Sequence, residues 1–176
     1  MPGVNRLLPV VRPTAPVLLL CGYYGEHNLG DDALLKVLVS SLPEPQQLLI
    51  TARDPAPVLA LAPSAQMVNR RSLRCCLRAA LRADVLVLGG GSLLQDSTSF
   101  SSLVYYLLLL TVARLGGAEV VLWGQGLGPL RRRTSRLLVR TVLPLCKAAS
   151  WRDQISFDWA QRWAPKLPMV LAADPV

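Results

Sequence analysis

Short apolar runs alternate with helical periodicities along this chain, and the alternation restricts the possible fold more than any other feature. The β-rich runs cover residues 17–21, 47–51, 85–88 and 120–123, and three more end near Asn69, Arg152 and Ala172. Runs 85–88 and 120–123 are apolar throughout, as in strands that helices cover on both faces of a parallel sheet. Leucines at positions 35, 38 and 42, and at 103, 107 and 110, follow the spacing of helices. We therefore predict an α/β fold with a doubly wound, mainly parallel, Rossmann-like sheet of about six or seven strands.

The chain is predicted to form a single domain. It has no internal repeat and no low-complexity linker, so residues 16–176 are assigned to one Rossmann-like α/β domain and residues 1–15 to a loose leader. Pro55, Pro57 and Pro63 indicate a loop or a short helix in the third layer. A hydrophobic content of 52% excludes disorder for most of the chain. The longest apolar stretch, 103–113, is shorter than the roughly 18 residues of a membrane span, so it predicts a buried helix and no transmembrane segment.

The charge of the chain favours anionic partners. Nineteen Lys and Arg against eleven Asp and Glu give a net charge of +8, which suits an anionic ligand, a nucleic acid or an anionic membrane surface. Arginine is well adapted to carboxylate and phosphate, although an arginine-rich composition can equally reflect the base composition of a genome. The arginines that follow residue 130 are expected to form a solvated helix face. No interleaved aromatic residues or nucleic-acid-binding module accompany them, so a nucleic-acid partner is not expected.

The cysteines predict neither a metal site nor a disulfide framework. Cys21, Cys75, Cys76 and Cys146 contain no C-x-x-C spacing, and His27 is the only histidine. A zinc site is therefore not expected, and reduced thiols favour a cytosolic protein.

Three predicted strands are followed by glycine-rich segments. They are GYYGEHNLGDD after the first strand, GGGSLLQD after the fourth and GQGLGP after the fifth. None has the spacing of the dinucleotide fingerprint or the ending of a Walker loop. A single glycine-rich segment is most simply a tight turn, but such segments can also expose backbone N–H groups to a carboxylate or phosphate. Three of them at the carboxyl edge of one parallel sheet predict a common cleft.

Polar side chains in and after these segments have alternative explanations. One of Asp31 and Asp32 can cap the first helix, but two adjacent carboxylates fit contacts to sugar hydroxyls better, and Asn28 suits a polyol in the same way. Asp96 fits either a helix cap or a ligand contact. Arg152 ends a predicted strand on the same edge, where it either binds a ligand or pairs with Asp153.

Taken together, the motifs resemble the polysaccharide pyruvyl transferase family, in particular its cell-wall enzymes of the CsaB type. The matching segments are GYYGEHNLGDDALL, VLGGGSLLQDSTS, GQGLGPLRRR, WRD with Ser156 three residues on, and AADPV, in that order from Gly22 to Val176. Family members are similar in architecture to two-domain GT-B glycosyltransferases, and this chain would match only their N-terminal domain. The second domain, which completes the cleft and is expected to carry the catalytic residues, would be absent.

The resemblance implies transfer of a pyruvyl group from phosphoenolpyruvate to a sugar of a cell-surface polysaccharide or its lipid-linked precursor, without a cofactor. The expected location is the cytoplasm, with the inner membrane surface as the alternative. The isolated half would be inactive, and the catalytic role is not assigned to His27. The expected donor-binding residues are Arg152, Gly89, Gly90, Gly91, Gln125 and Gly126. The expected residues of the acceptor side of the cleft are Gly25, Asn28, Asp31, Asp32 and Asp96.

Two other functions remain open at this point. The chain could be a catalytically silent module that binds sugar or phosphate. It could also be a GT-B glycosyltransferase domain that uses a nucleotide sugar, although the usual donor-binding half of those enzymes is the C-terminal one.

Overall fold

A computed structural model describes residues 15–42 and 47–173 of the chain, and these form one sheet with helices on both faces. Seven strands alternate with six helices in the described part. The strands are β1 (Val17–Tyr24), β2 (Gln47–Ala52), β3 (Gln66–Asn69), β4 (Val85–Gly89), β5 (Glu119–Gln125), β6 (Ala148–Trp151) and β7 (Met169–Leu171). The helices are α1 (Leu29–Ser40), α2 (Pro55–Leu61), α3 (Leu73–Arg82), α4 (Phe100–Leu115), α5 (Arg133–Val142) and α6 (Gln154–Trp163), and a 3₁₀ turn covers Leu143–Leu145.

All seven strands are parallel, in the order β3-β2-β1-β4-β5-β6-β7. The predicted parallel Rossmann-like sheet is therefore confirmed. Strands β2 and β3 follow β1 toward one edge of the sheet, whereas β4 lies on the other side of β1 and β5, β6 and β7 follow it toward the opposite edge. The order of the strands therefore reverses between β1 and β4. In open sheets of this kind, the crevice at such a reversal, beyond the carboxyl ends of the strands, is where ligands bind.

Two hydrophobic cores hold the helices to the sheet. On one face, α1 and α2 pack on β1 and β2 through Leu35, Leu38 and Val58. On the other face, α3, α4, α5 and α6 pack in a single layer against the strands. The alternating burial along β5 follows from this arrangement, since every second side chain enters the larger core.

Helix α4 confirms the buried helix that the apolar stretch predicted. Six of its side chains are buried: Leu103, Tyr106, Leu107, Leu109, Leu110 and Ala113. Ser99 caps the helix, because its side chain accepts a hydrogen bond from the backbone N–H of Ser102. No helix in the described ranges is long and apolar enough to cross a membrane.

The proline-rich segment resolves the choice that the sequence left open, because Pro55–Leu61 forms the short helix α2 with Asp54 as its cap. The predicted leader, residues 1–15, lies outside the described residues except for Ala15. The bounds predicted for the domain remain a prediction.

Candidate functional site

A cleft of about 820 Å³ opens at the carboxyl ends of β1 and β4. Four of the predicted site residues line it: Asn28, Asp31, Gly91 and Arg152. The remaining lining residues are Tyr23, Gly30, Leu34, Ser92, Leu93, Gln95, Thr98, Ser99, Ser102 and Tyr106. Hydroxyl and amide groups therefore dominate the polar wall of the cleft, together with one carboxylate and one guanidinium.

The start of α1 forms one side of the cleft. Asn28 is the cap of this helix, because its Oδ1 accepts a hydrogen bond from the backbone N–H of Gly30 at 3.0 Å. The expectation that Asp31 or Asp32 caps the helix is therefore wrong, since both lie in its first turn. Capping by Asn28 leaves both carboxylates available for other contacts, where the positive end of the helix dipole favours them.

Asp31 presents to the cleft a carboxyl group that is a weaker acid than usual. Burial raises the pKa of Asp31 above its usual value, and the neighbouring Asp32 raises it further, whereas Arg70 and Arg152 act in the opposite direction. A Cβ placed on Gly91 would lie 3.2 Å from Oδ1 of Asp31, so the glycine gives the carboxylate room. Within the described residues, Oδ1 of Asp32 is buried without a hydrogen-bond partner.

Arg152 lies on the opposite side of the cleft, where β6 ends. Its Nη2 donates a hydrogen bond to Oγ of Ser92 at 2.7 Å, and its backbone N–H donates to the carbonyl of Gln125 at 3.1 Å. A Cβ on Gly126 would lie 3.1 Å from Nε of Arg152 and 2.7 Å from Oγ of Ser92. The absence of a side chain at position 126 thus lets the guanidinium and the serine hydroxyl meet.

Asp153 has a structural task of its own. Its carboxylate caps α6 by accepting hydrogen bonds from the backbone N–H of Ser156 at 2.8 Å and from its hydroxyl at 2.7 Å. The Ser156 oxygen also accepts a hydrogen bond from the backbone N–H of Leu127 at 2.7 Å, which ties the loop after β5 to α6. The WRDQIS segment therefore places one residue at the cleft and uses the next to start a helix.

The glycines after β4 and β5 are placed at the same edge of the sheet, but their backbone donors are occupied. The N–H of Gly90 donates to the carbonyl of Trp123 at 2.8 Å, and the N–H of Gly126 donates to the carbonyl of Gly91 at 2.9 Å. The carbonyl of Gly89 accepts a hydrogen bond from the Tyr24 hydroxyl at 3.0 Å. The expectation that Gly90 and Gly126 offer N–H groups to an anion is therefore corrected: the Gly90 N–H joins the loop after β4 to strand β5, and the Gly126 N–H joins the loop after β5 to the loop after β4.

Gln125 and Asp96 lie outside the cleft. The Gln125 side chain is fully buried, and its Nε2 donates to the carbonyls of Leu88 at 3.1 Å and Gly90 at 3.0 Å. The Asp96 carboxylate accepts hydrogen bonds from the backbone N–H groups of Arg131 at 2.7 Å and Arg132 at 2.9 Å. Both side chains therefore fix the loops that surround the cleft. Asp96 does not cap the helix that follows it, because Ser99 caps α4; its carboxylate instead holds the segment just before α5.

Gly25 and His27 belong to the loop after β1 but face away from the cleft. Gly25 has φ +69°, and a Cβ there would lie 2.3 Å from the backbone oxygen of Asp54. His27 is 77% exposed, and its Nε2 lies 3.6 Å from Oδ2 of Asp54. The histidine is thus an exposed loop residue, as expected, but it has a neighbouring carboxylate that the sequence did not reveal.

A partly buried arginine that the sequence did not single out supports the wall beside Asp31. Arg70 follows β3, and its Nη1 lies 2.5 Å from Oε1 of Glu26. Its Nη2 donates to the Tyr106 hydroxyl at 3.1 Å, and its guanidinium lies 4.5 Å from the ring centre of Tyr23. Arg70 therefore holds two tyrosines of the cleft in place. The only signal in the sequence was its position at a strand end.

The cleft combines the contacts that a sugar and a small anion require. A carboxylate, an amide and several hydroxyls can exchange hydrogen bonds with sugar hydroxyls. The guanidinium opposite can bind a carboxylate or a phosphate through paired N–H groups. No group of three or more His, Cys, Asp or Glu side chains that could hold a metal ion occurs in the described part of the chain.

Comparison with solved structures supports the fold. A ribokinase-like superfamily protein from Enterococcus faecalis V583 superposes with a TM-score of 0.54 at 13% identity, over 90% of this chain and 57% of that one. A hypothetical protein from Streptococcus mutans gives a TM-score of 0.49 at 14% identity, over 96% of this chain and 62% of the other. The chain thus spans about three fifths of the length of these structures. At such low identity the first likeness shows a shared fold only.

Comparison at the level of sequence gives the family. No match was found among curated proteins. The family model described as polysaccharide pyruvyl transferase matches residues 28–176, which include the cap of α1, the loops after β4 and β5, and Arg152. With most of its length matched, the chain belongs to the polysaccharide pyruvyl transferase family.

Proposed function

We propose that this chain is the N-terminal domain of an enzyme that transfers a pyruvyl group from phosphoenolpyruvate to a sugar of a cell-surface polysaccharide or its lipid-linked precursor. The observation that carries the proposal is that Arg152 and Asp31 line the same cleft, at the point where the order of the strands reverses. One group suits the anionic donor and the other suits a sugar, and the family supplies the reaction type.

The reaction requires a proton, two sugar hydroxyls and a cation. Protonation of the CH₂ carbon of phosphoenolpyruvate makes its neighbouring carbon an oxocarbenium-like centre, which one sugar hydroxyl attacks with loss of its proton. A second hydroxyl of the sugar then displaces the phosphate with loss of its own proton, and a cyclic pyruvate ketal and inorganic phosphate result. Fixed cations stabilise the anionic donor and the departing phosphate.

Arg152 would bind the carboxylate or phosphate of the donor. Its hydrogen bond to Ser92 and the missing side chain at Gly126 fix the guanidinium without filling the cleft. A planar guanidinium donates two parallel hydrogen bonds to such groups, which lysine cannot do.

Asp31 would accept hydrogen bonds from the acceptor sugar on the opposite side. Asn28 and Ser102 line the same cavity, so their amide and hydroxyl groups can orient the sugar ring. The catalytic acid is assigned to none of these residues, because we expect it in a second domain that closes the cleft. A cleft that a single domain lines stays open to water, so this chain alone should not turn over the donor.

Titration of phosphoenolpyruvate into the purified chain tests the donor site. We expect measurable binding, and a loss of affinity of about tenfold or more, about 1.4 kcal/mol, for Arg152→Lys. Arg133→Lys is the matched control, because Arg133 is exposed at the start of α5 and does not line the cleft. Its affinity should equal that of the unaltered chain.

Three results would contradict the proposal or a part of it. An Arg152→Lys variant that keeps full affinity for phosphoenolpyruvate would remove the donor role from Arg152. Binding of a nucleotide sugar in preference to phosphoenolpyruvate would favour a glycosyltransferase domain. Turnover of phosphoenolpyruvate by this chain with a glycan acceptor would refute the expectation that a second domain is needed.

A further inference from the structure

A groove between α5 and α6 combines arginines with tryptophans on the outer surface of the larger helix layer. Its volume is about 460 Å³, and its lining residues are Arg136, Leu137, Arg140, Trp159, Arg162 and Trp163. The two indole rings lie 5.1 Å apart, and the Arg136 guanidinium lies 5.9 Å from the ring centre of Trp159. We refer to these six residues together with Ile155 as the α5–α6 surface.

Aliphatic side chains project from this surface into solvent. Leu137 is 66% exposed and Ile155 is 70% exposed. A neighbouring cavity contains Ile155 and shares Arg136 and Trp159 with the groove, so the apolar and the cationic groups form one continuous surface. A single exposed leucine needs no explanation, whereas an apolar cluster surrounded by charge is a mark of a binding surface.

The positive charge of the chain is concentrated in the segment that forms this surface. Between residues 131 and 163 the sequence has eight Lys and Arg but only two acidic residues, which amounts to six of the eight net positive charges. The two carboxylates already have partners: Asp153 caps α6, and Asp158 accepts a hydrogen bond from Gln154 at 2.7 Å. Their charges offset only two of the eight cations, so the segment keeps a net positive charge.

We infer that the α5–α6 surface docks on the surface of an anionic phospholipid bilayer. Arginines bind lipid phosphates there, tryptophans are suited to the level of the head groups, and short aliphatic side chains reach the boundary of the acyl chains. A nucleic acid would satisfy the arginines equally well. However, it has no acyl chains in which the exposed aliphatic side chains of Leu137 and Ile155 could be buried, which makes a bilayer the better partner.

The position of this surface relative to the cleft gives the docking a consequence. The cavity that contains Ile155 also includes Ser92 and Gly126, and Ser92 lines the cleft as well. A bilayer on the α5–α6 surface would therefore lie beside the mouth of the cleft. If the proposed function holds, a lipid-linked acceptor could reach Asp31 from the membrane, but the docking itself does not depend on the group transferred.

Vesicle flotation tests the inference with the purified chain. We expect it to float with mixed phosphatidylcholine and phosphatidylglycerol vesicles at low salt, but not with phosphatidylcholine alone. At about 1 M salt, where the Debye length is about 3 Å, the bound fraction should fall sharply. Tryptophan fluorescence should shift to the blue when anionic vesicles are added, because two of the four tryptophans lie in the groove.

Paired variants assign the binding to this surface. Arg140→Gln with Arg162→Gln removes two exposed cations, and at about 1 kcal/mol for each basic residue the partition coefficient should fall about thirtyfold. Arg74→Gln with Arg78→Gln is the control, because it removes the same charge from exposed positions of α3. Leu137→Ser with Ile155→Ser should weaken binding and reduce the fluorescence shift without changing the net charge.

Three outcomes would overturn the inference. The first is failure of the unaltered chain to float with anionic vesicles, which needs no variant and so does not depend on how a variant folds. The second is an equal loss for the α3 pair, which would mean attraction by net charge alone. The third is that the chain binds a single-stranded oligonucleotide through Arg140 and Arg162 but does not bind vesicles. This result would assign the surface to a nucleic acid.

Discussion

Replacing Gly90 with alanine tests how tightly the loop after β4 is held against α1. Gly90 has φ +71°, in the left-handed region that glycine enters without steric cost. A Cβ at this position would lie 2.5 Å from Cδ1 and 3.0 Å from Cβ of Leu34. Leu34 is only 6% exposed, and its Cβ is fixed to the helix backbone, so the loop and α1 would have to separate.

The expected magnitude follows from two terms. An alanine in the left-handed region costs about 1–2 kcal/mol, and the reduced freedom of the unfolded chain offsets about 0.4–1 kcal/mol of that. Crowding a buried side chain adds about 1–3 kcal/mol. Gly90→Ala should therefore lower the free energy of unfolding by about 2–4 kcal/mol. Gly117→Ala isolates the first term, because Gly117 has φ +93° and a Cβ there would meet nothing within 4 Å.

Urea unfolding of the two variants and the unaltered chain, followed by circular dichroism, provides the measurement. Gly117→Ala should cost about 1 kcal/mol, and Gly90→Ala about 1–3 kcal/mol more. Equal losses would refute the reasoning, since they would mean that Leu34 makes room at no cost and that the glycine loop is not locked onto α1.

Three further predictions concern side chains whose environments the structure defines. Asp31→Asn should raise the melting temperature at neutral pH, because burial raises the pKa of Asp31 and so destabilises its charged form in the folded chain; the gain should vanish as pH falls below that raised pKa. Asp96→Asn should lower the free energy of unfolding by about 1–3 kcal/mol, measured in urea at pH 7. The two carboxylate oxygens accept hydrogen bonds from different N–H groups, at Arg131 and Arg132, whereas an amide has only one oxygen. That difference should shrink in acid, because hydrogen bonds outweigh burial and lower the pKa of Asp96. In a thiol titration of the native chain Cys75 should react rapidly and Cys21 should not, because Cys75 is exposed whereas burial raises the pKa of Cys21 to about 12.

The fold could be predicted because its strongest signals are local. Runs 85–88 and 120–123 are apolar at every position, and a strand that is buried on both faces needs this pattern. Parallel pairing then follows, since each strand is separated from the next by a helical segment long enough to cross back over the sheet. The order of the strands also determines where the cleft lies, because the first and fourth strands are neighbours at the point where the order reverses.

The site was harder to predict because position after a strand does not determine the direction of a side chain. Arg152 and Gln125 both lie at the carboxyl end of a strand, yet Arg152 reaches the cleft whereas Gln125 is buried between two backbone carbonyls. Asp96 follows the triple glycine, where a ligand residue is expected, but its carboxylate accepts hydrogen bonds from two backbone N–H groups just before α5. The direction of each of these side chains depends on packing between elements that are distant in the sequence, so the residue type alone does not predict it.

Arg70 shows the opposite error, in which a supporting residue leaves almost no trace in the sequence. It follows β3, a strand of four residues with no fully buried side chain, so nothing local marks its importance. Its contacts come from Glu26 and Tyr106, which are 44 and 36 residues away in the chain. A residue whose role is to orient others is visible only once those others are placed.

The occupied N–H groups of Gly90 and Gly126 change the way in which an anion can be recognised in the cleft. Gly90 donates to a carbonyl of β5 and Gly126 donates to a carbonyl of the loop after β4, so these two N–H groups cannot form the anion-binding nest that a glycine-rich turn suggests. These two glycines therefore do not supply donors to a carboxylate or phosphate, and Arg152 is the cationic side chain that lines the cleft. Gly126 still has a role, because any Cβ there would press on the Arg152 guanidinium and on the hydroxyl of Ser92 that it contacts. Gly126 is therefore required for the close approach of Arg152 and Ser92. The donor that faces the cleft is the Arg152 guanidinium and not the N–H of the glycine.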